Sequence, residues 1–134
     1  QAIAAIKGVT TGVFLGQIKK YDAEVSEENV LLKAKLQEMT LRYEEISTKV
    51  IGMNNTDILD FHSRRLVEMA GNIIMGYLLV LNSQRNDSFS KSARLFVNLV
   101  QSENTEKFNY MDNFEVEDLE LYKIKHSEIE EAVV

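Results

Sequence analysis

The chain has 134 residues, a length that suits one domain with a single core. It contains no cysteine and no proline, which excludes disulfides and thiolate chemistry, suits a reducing cytoplasm and favours long helices. The net charge is −6, and all of it lies in residues 108–134, because residues 1–107 hold thirteen basic and thirteen acidic side chains. This balance excludes the positive field by which proteins bind nucleic acid.

The first predicted helix runs from Ala2 to about Lys20 and carries Gly8, Gly12 and Gly16 at four-residue spacing. Each glycine costs about 1 kcal/mol relative to alanine inside a helix. Three on one face therefore predict that a neighbouring helix or chain approaches closely there. The alternative interpretation is a weak helix that breaks near Gly8 or Gly12. Because residue 1 is Gln and not Met, we expect this sequence to be a piece of a longer chain.

The second predicted helix begins at Ser26, a suitable N-cap, and ends near Ile51, just before Gly52. Its apolar residues recur at alternating steps of four and three, which places them on one stripe of the helix. These residues are Leu32, Leu36, Met39, Tyr43, Ile46 and Val50. The stripe predicts a face that packs against other helices.

The third predicted helix is capped by Thr56 or Asp57, with an ion pair between Asp60 and Arg64. Residues 73–81 are apolar around the whole circumference, which predicts the central helix of the domain. This stretch is half of the roughly 18 residues that a membrane span needs, so no transmembrane segment is predicted. The stripe consists of Leu66, Ala70, Ile73, Tyr77 and Leu81.

The fourth predicted helix runs from about Phe89 to Lys107, after a turn at residues 82–87 capped by Asp87 or Ser88. Its stripe is Phe89, Ala93, Phe96 and Val100. Short links between helices predict up-down connectivity. Residues 1–107 are therefore predicted to form an all-α, up-down bundle of about four helices.

Residues 108–134 are predicted to form an acidic, partly extended C-terminal arm of the same domain. Residues 117–125 alternate partly like a strand. Four aromatic side chains favour docking of the arm against this bundle or a missing neighbour. The alternative is a solvated, partly disordered terminus.

No motif in the chain predicts a catalytic, cofactor-binding or metal site. A di-iron carboxylate bundle needs Glu three residues before a histidine, and neither His62 nor His126 has one. His62 is predicted at the surface, in the first turn of the third helix. The acidic pairs lie outside the apolar stripes, where solvated charges are expected: Glu44 with Glu45, and Glu103 with Glu106.

Two stretches carry a family resemblance. Residues 64–79, RRLVEMAGNIIMGYLL, and residues 89–97, FSKSARLFV, resemble the C-terminal helical region of bacterial acyl-CoA dehydrogenase-like flavoproteins. The likeness extends over roughly residues 58–110. It is strongest at Met75 to Leu79 and at Lys91 to Ala93.

The resemblance implies a parent flavoenzyme that oxidises acyl-CoA thioesters, with FAD and the catalytic Glu in other domains. For this chain it implies a non-catalytic C-terminal domain, without a cofactor of its own, that supports packing or oligomerisation of the parent. The implied partners are the remainder of the parent enzyme or a second subunit, including a homo-oligomer, in the cytoplasm. The alternative is a free-standing helical module for interaction or scaffolding.

Overall fold

The computed structural model describes the backbone of residues 2–133 and the side chains of residues 5–129, so Gln1 and Val134 lie outside the described residues. The described backbone forms six α-helices and no strand. They are α1 (Ala2–Thr10), α2 (Val13–Asp22), α3 (Val30–Gly52), α4 (Thr56–Arg85), α5 (Ser90–Asp112) and α6 (Val116–Val133). Single 3₁₀ turns, Glu27–Asn29 and Asp87–Phe89, precede α3 and α5. The predicted all-α class is confirmed.

The three long helices α3, α4 and α5 form the body of an up-down bundle. The start of α3 lies beside the end of α4, because the Ser26 N–H donates to Gln84 Oε1 at 2.6 Å. Helix α5 runs parallel to α3, and Lys35 Nζ donates to Asn98 Oδ1 at 2.6 Å. The predicted up-down connectivity is therefore confirmed for these helices.

Helix α4 is the centre of the bundle and contacts α1, α2, α3 and α5. The predicted stripes supply half of the buried apolar residues, and burial of each large apolar side chain contributes about 1.5–3 kcal/mol. Leu32, Leu81 and Phe96 are only half-buried, and Phe89 is exposed. The buried stripe residues are Leu36, Met39, Tyr43, Ile46, Val50, Leu66, Ala70, Ile73, Tyr77, Ala93 and Val100.

A polar contact lies inside the apolar interface between α4 and α5. Asn104 is buried, and its Nδ2 donates to the backbone oxygen of Met69 at 3.1 Å. Its Oδ1 accepts a hydrogen bond from Asn72 Nδ2 at 2.9 Å. The buried side-chain amide thus has a donor and an acceptor partner, as burial in a core requires.

The first predicted helix is two helices. The chain leaves α1 after Thr10 and enters α2 at Val13, with Gly12 at a φ of 79°. Glycine adopts this left-handed conformation without the steric cost that a Cβ adds. The prediction of one helix from Ala2 to about Lys20 is therefore wrong, and the alternative of a break near Gly12 is confirmed.

Asparagine side chains cap α4 and the turn before α5. Asn55 Oδ1 accepts from the Ile58 N–H at 3.2 Å, where Thr56 or Asp57 was the predicted cap. Asn86 Oδ1 accepts from the Ser88 N–H at 3.1 Å. Both predicted caps are wrong by one or two positions, because asparagine is as good an N-cap as the serine, threonine or aspartate that follows it.

The predicted turn at residues 82–87 is helical through Arg85. No glycine or proline interrupts this segment, and the Asn86 N–H still donates to the Asn82 oxygen at 3.0 Å. The predicted pair of Asp60 with Arg64 is also wrong. Arg64 Nε lies 3.9 Å from Glu68 Oε2 in the next turn instead.

The C-terminal arm is helical. Helix α6 begins at Val116, and Asp118 Oδ2 accepts from the Glu115 N–H at 2.7 Å, an interaction that stabilises a helix start. The prediction of a partly extended arm is therefore wrong, because a short run of alternating apolar residues also fits a helix with apolar groups on several faces. The division at residue 107 stays a prediction, and α5 continues across it to Asp112.

Candidate functional site

The three glycines of the predicted close contact lie in different surroundings. A Cβ added at Gly8 would overlap the ring of Phe14 from α2, so these two short helices approach closely there. Gly12 forms the turn, and a Cβ at Gly12 or Gly16 would meet no atom within 4 Å. The break between α1 and α2 thus removes the single stripe. A contact of these glycines with a second chain stays a prediction.

His62 is buried, with 1% of its surface exposed, and the prediction of a surface position is wrong. Its Nδ1 has no hydrogen-bond partner, and its ring lies edge-on to Phe61 at 5.3 Å and to Phe114 at 4.7 Å between centroids. Burial, and secondarily the charge of Arg65, lowers the pKa of His62 to about 4. Its position four residues before Leu66 continues the apolar stripe, and this spacing could have revealed its burial.

Arg65 stands in a cleft where α4, α5 and α6 meet. Its guanidinium lies 4.4 Å from the ring centroid of Tyr110 and 5.3 Å from that of Phe61, within the range of cation–π contacts. The cleft has a volume of about 550 Å³ and also exposes Lys107 and Tyr122. Tyr122 meets Phe61 edge-on at 4.9 Å. The contact between Tyr122 and Phe61 holds the first half of α6 against the bundle.

Beyond this attachment, α6 is exposed. Leu119 is buried, whereas every residue from 120 to 129 is exposed. Lys123 Nζ lies 3.2 Å from Asp57 Oδ2, an exposed pair that contributes little. A groove of about 880 Å³ separates the exposed part of α6 from the end of α5. It is lined mainly by Tyr110, Asn113, Phe114, Leu121, Ile124 and Lys125.

Tyr77 joins α4 to α2. Its buried hydroxyl donates to Asp22 Oδ1 at 2.8 Å, and Asp22 Oδ2 accepts from Gln37 Nε2 at 3.2 Å. Burial raises the pKa of Tyr77, and the hydrogen bond and charge of Asp22 raise it further. The phenol therefore remains a neutral donor that ties the short helix to the core.

A second apolar surface lies on α3 and α5. Leu31 is 79% exposed, Leu95 70% and Leu99 57%. Leu31 precedes Lys35 by one turn and Leu95 precedes Asn98 by one turn, so the hydrogen bond between Lys35 and Asn98 sets Leu31 and Leu95 at a similar level of the two parallel helices, with Leu99 one turn further along α5. We name Leu31, Leu95 and Leu99 the leucine patch.

Acidic residues of the predicted pairs have solvent or polar neighbours. Glu45 Oε2 lies 3.8 Å from Arg42 Nη1, and Glu103 Oε1 accepts from Asn72 Nδ2 at 3.4 Å. Among the residues that the structure describes, no three histidine or acidic side chains are grouped as metal ligands.

Within the described part of the chain, α4 is the one helix long and apolar enough to cross a membrane. Length and composition alone give this result, and the central helix of a bundle has the same properties. Because α4 contacts four other helices, its apolar surface is used in the core.

Comparison with known proteins gives a consistent match. Residues 10–119 match the family described as acyl-CoA dehydrogenase C terminal. The chain is 35% identical to an acyl-CoA dehydrogenase family protein from Porphyromonas gingivalis of known crystal structure. The TM-score is 0.78, and the match covers 84% of this chain and 98% of that one. No curated protein sequence matches the chain.

Proposed function

Because this chain belongs to the acyl-CoA dehydrogenase C-terminal domain family, we propose that it is a non-catalytic helical domain that packs against the remainder of an acyl-CoA dehydrogenase-like parent enzyme. The parent would oxidise acyl-CoA thioesters with FAD, in the cytoplasm. In this proposal the domain stabilises the assembled enzyme and leaves the chemistry to other domains.

The groove beside α6 does not suit the pyrophosphate of a flavin dinucleotide. It presents Asp118 and Glu128 beside a single cation, Lys125, so a pyrophosphate there would lose free energy through like-charge repulsion. The cleft around Arg65 has mixed charge, with Asp60 and Glu68 beside Arg64, Arg65 and Lys107. In this proposal the flavin of the parent is bound by other domains.

The leucine patch is the observation that carries the proposal. Leu95 and Leu99 are neighbours one turn apart on α5, Leu31 lies on α3, and all three are more than half exposed, which costs free energy in water. Exposed apolar side chains that lie next to one another commonly mark interfaces. The patch lies within residues 10–119, the part that matches the family. We propose that it faces the remainder of the parent.

The test uses this domain and the remainder of the parent chain, each produced as a separate protein. The two pieces are expected to associate in sedimentation velocity experiments. The double variant Leu95→Asp, Leu99→Asp is expected to weaken this association at least tenfold, whereas Leu121→Asp on α6 leaves it unchanged. Equal association of both variants would contradict the proposal, as would flavin absorbance or acyl-CoA turnover by the 134-residue chain alone.

A further inference from the structure

We propose that two copies of this chain pair through α6, with the two helices antiparallel about a twofold axis. The pairing surface, which we name the α6 face, consists of Leu121, Ile124, Lys125, Glu128 and Ile129. The inference rests on the proposed supporting function and deepens it by naming a partner. Residues 120–133, which include all of the α6 face, lie beyond the part that matches the family.

The apolar part of the α6 face has no cover in the single chain. Leu121, Ile124 and Ile129 are each more than half exposed. At about 100° per residue, the five positions of the α6 face fall within about 140° of the helix circumference. They therefore form one stripe, and the groove of about 880 Å³ beside it leaves space for another chain.

One pair of opposite charges on the α6 face favours a second copy as the occupant. Lys125 and Glu128 have opposite charges and lie one turn apart on the same face. If the twofold axis passes between residues 126 and 127, each Lys125 lies opposite Glu128 of the second copy. The same register sets each Ile124 opposite Ile129 of the second copy. Antiparallel pairing thus makes the α6 face complementary to itself, as an isologous interface requires.

The end of α5 completes the interface. Tyr110 and Asn113 line the groove on the side opposite to the α6 face. A helix of the second copy that lies in the groove would contact Tyr110, and tyrosine is among the residues enriched at the energetic centre of interfaces. Both copies would make this contact, because the arrangement is twofold symmetric.

A charge exchange tests the register. Sedimentation velocity and light scattering across a dilution series are expected to give twice the mass of one chain for the unmodified protein. Lys125→Glu and Glu128→Lys, each alone, are expected to raise the dissociation constant at least tenfold, because like charges then face each other. The double variant with both changes is expected to restore the dimer.

Lys91→Glu, an equal change of charge on the exposed surface of α5, serves as the control and is expected to leave the dimer intact. Circular dichroism verifies that the variants keep their helices. A single-chain mass at every concentration would overturn the inference, as would a dimer that the single exchanges leave unchanged. The leucine-patch variants report separately on the contact with the parent, so failure of one proposal is distinguishable from failure of the other.

Discussion

Replacement of His62 by leucine is expected to reduce the sensitivity of the fold to acid. The buried imidazole has a pKa of about 4 in the folded protein, against an ordinary value of about 6.5 in an unfolded chain. Between these values the unfolded chain binds more protons than the folded one. The contribution to stability is therefore fully present above pH 6.5 and is lost as the pH falls towards 4.

The two pKa values give the magnitude. The unfolded chain binds a proton at His62 more tightly than the folded chain does. This difference lowers the free energy of unfolding by about 2 kcal/mol at pH 5 and about 3 kcal/mol at pH 4, relative to neutral pH. His62→Leu removes this loss and also removes the buried Nδ1 that has no partner. Leucine has a volume close to that of histidine, so the site accepts it with little strain.

Urea denaturation at several values between pH 7 and pH 5 measures the effect. The unmodified protein is expected to lose about 2 kcal/mol more than His62→Leu over this interval. Carboxylates titrate in both proteins, and their contribution cancels in the difference. His62→Phe provides a second apolar replacement of different shape and should give the same difference. Parallel pH profiles for the unmodified protein and both variants would refute the reasoning.

Four further substitutions test the packing. Leu66→Ala is expected to lower the free energy of unfolding by about 2–5 kcal/mol, because it leaves a cavity at a fully buried position of α4. A urea midpoint near that of the unmodified protein would contradict this. Tyr77→Phe is expected to cost about 1.5–3 kcal/mol through loss of the hydrogen bond to Asp22, measured by thermal denaturation at pH 7. Gly16→Ala is expected to raise the free energy of unfolding by up to about 1 kcal/mol, because its surroundings are open. Gly12→Ala is expected to lower it by about 1–2 kcal/mol, because alanine is strained in the left-handed conformation. Equal melting temperatures for the two variants would count against the turn at Gly12.

The periodic parts of the fold could be predicted from the sequence. The stripes of α3 and α4 name residues such as Leu36, Ile46, Leu66 and Ile73, and these are fully buried. The steps of three and four place them on one face whatever the neighbouring helices are. The helical class and the central position of α4 follow from the same pattern.

The parts that depend on local alternatives were not predictable in this way. Gly12 can end a helix or lie within one, and the sequence spacing alone does not decide between these outcomes. The break brings Phe14 onto Gly8, a contact that the four-residue glycine spacing does not predict. The polarity of His62 predicts a surface position, whereas its spacing to Leu66 indicates the buried position that the structure has. Helix α6 lacks a sustained stripe against the bundle, because most of its apolar residues face away from the core.

The amide of Asn104 has a consequence for the uniqueness of the fold. Apolar stripes on α4 and α5 would tolerate a shift by one helical turn, since leucine, valine and alanine impose few directional requirements. Such a shift would separate Asn104 from Asn72 and from the Met69 oxygen and leave buried polar groups without partners. The Asn104 side chain therefore fixes the axial register of α4 and α5 and disfavours arrangements that are shifted by one turn.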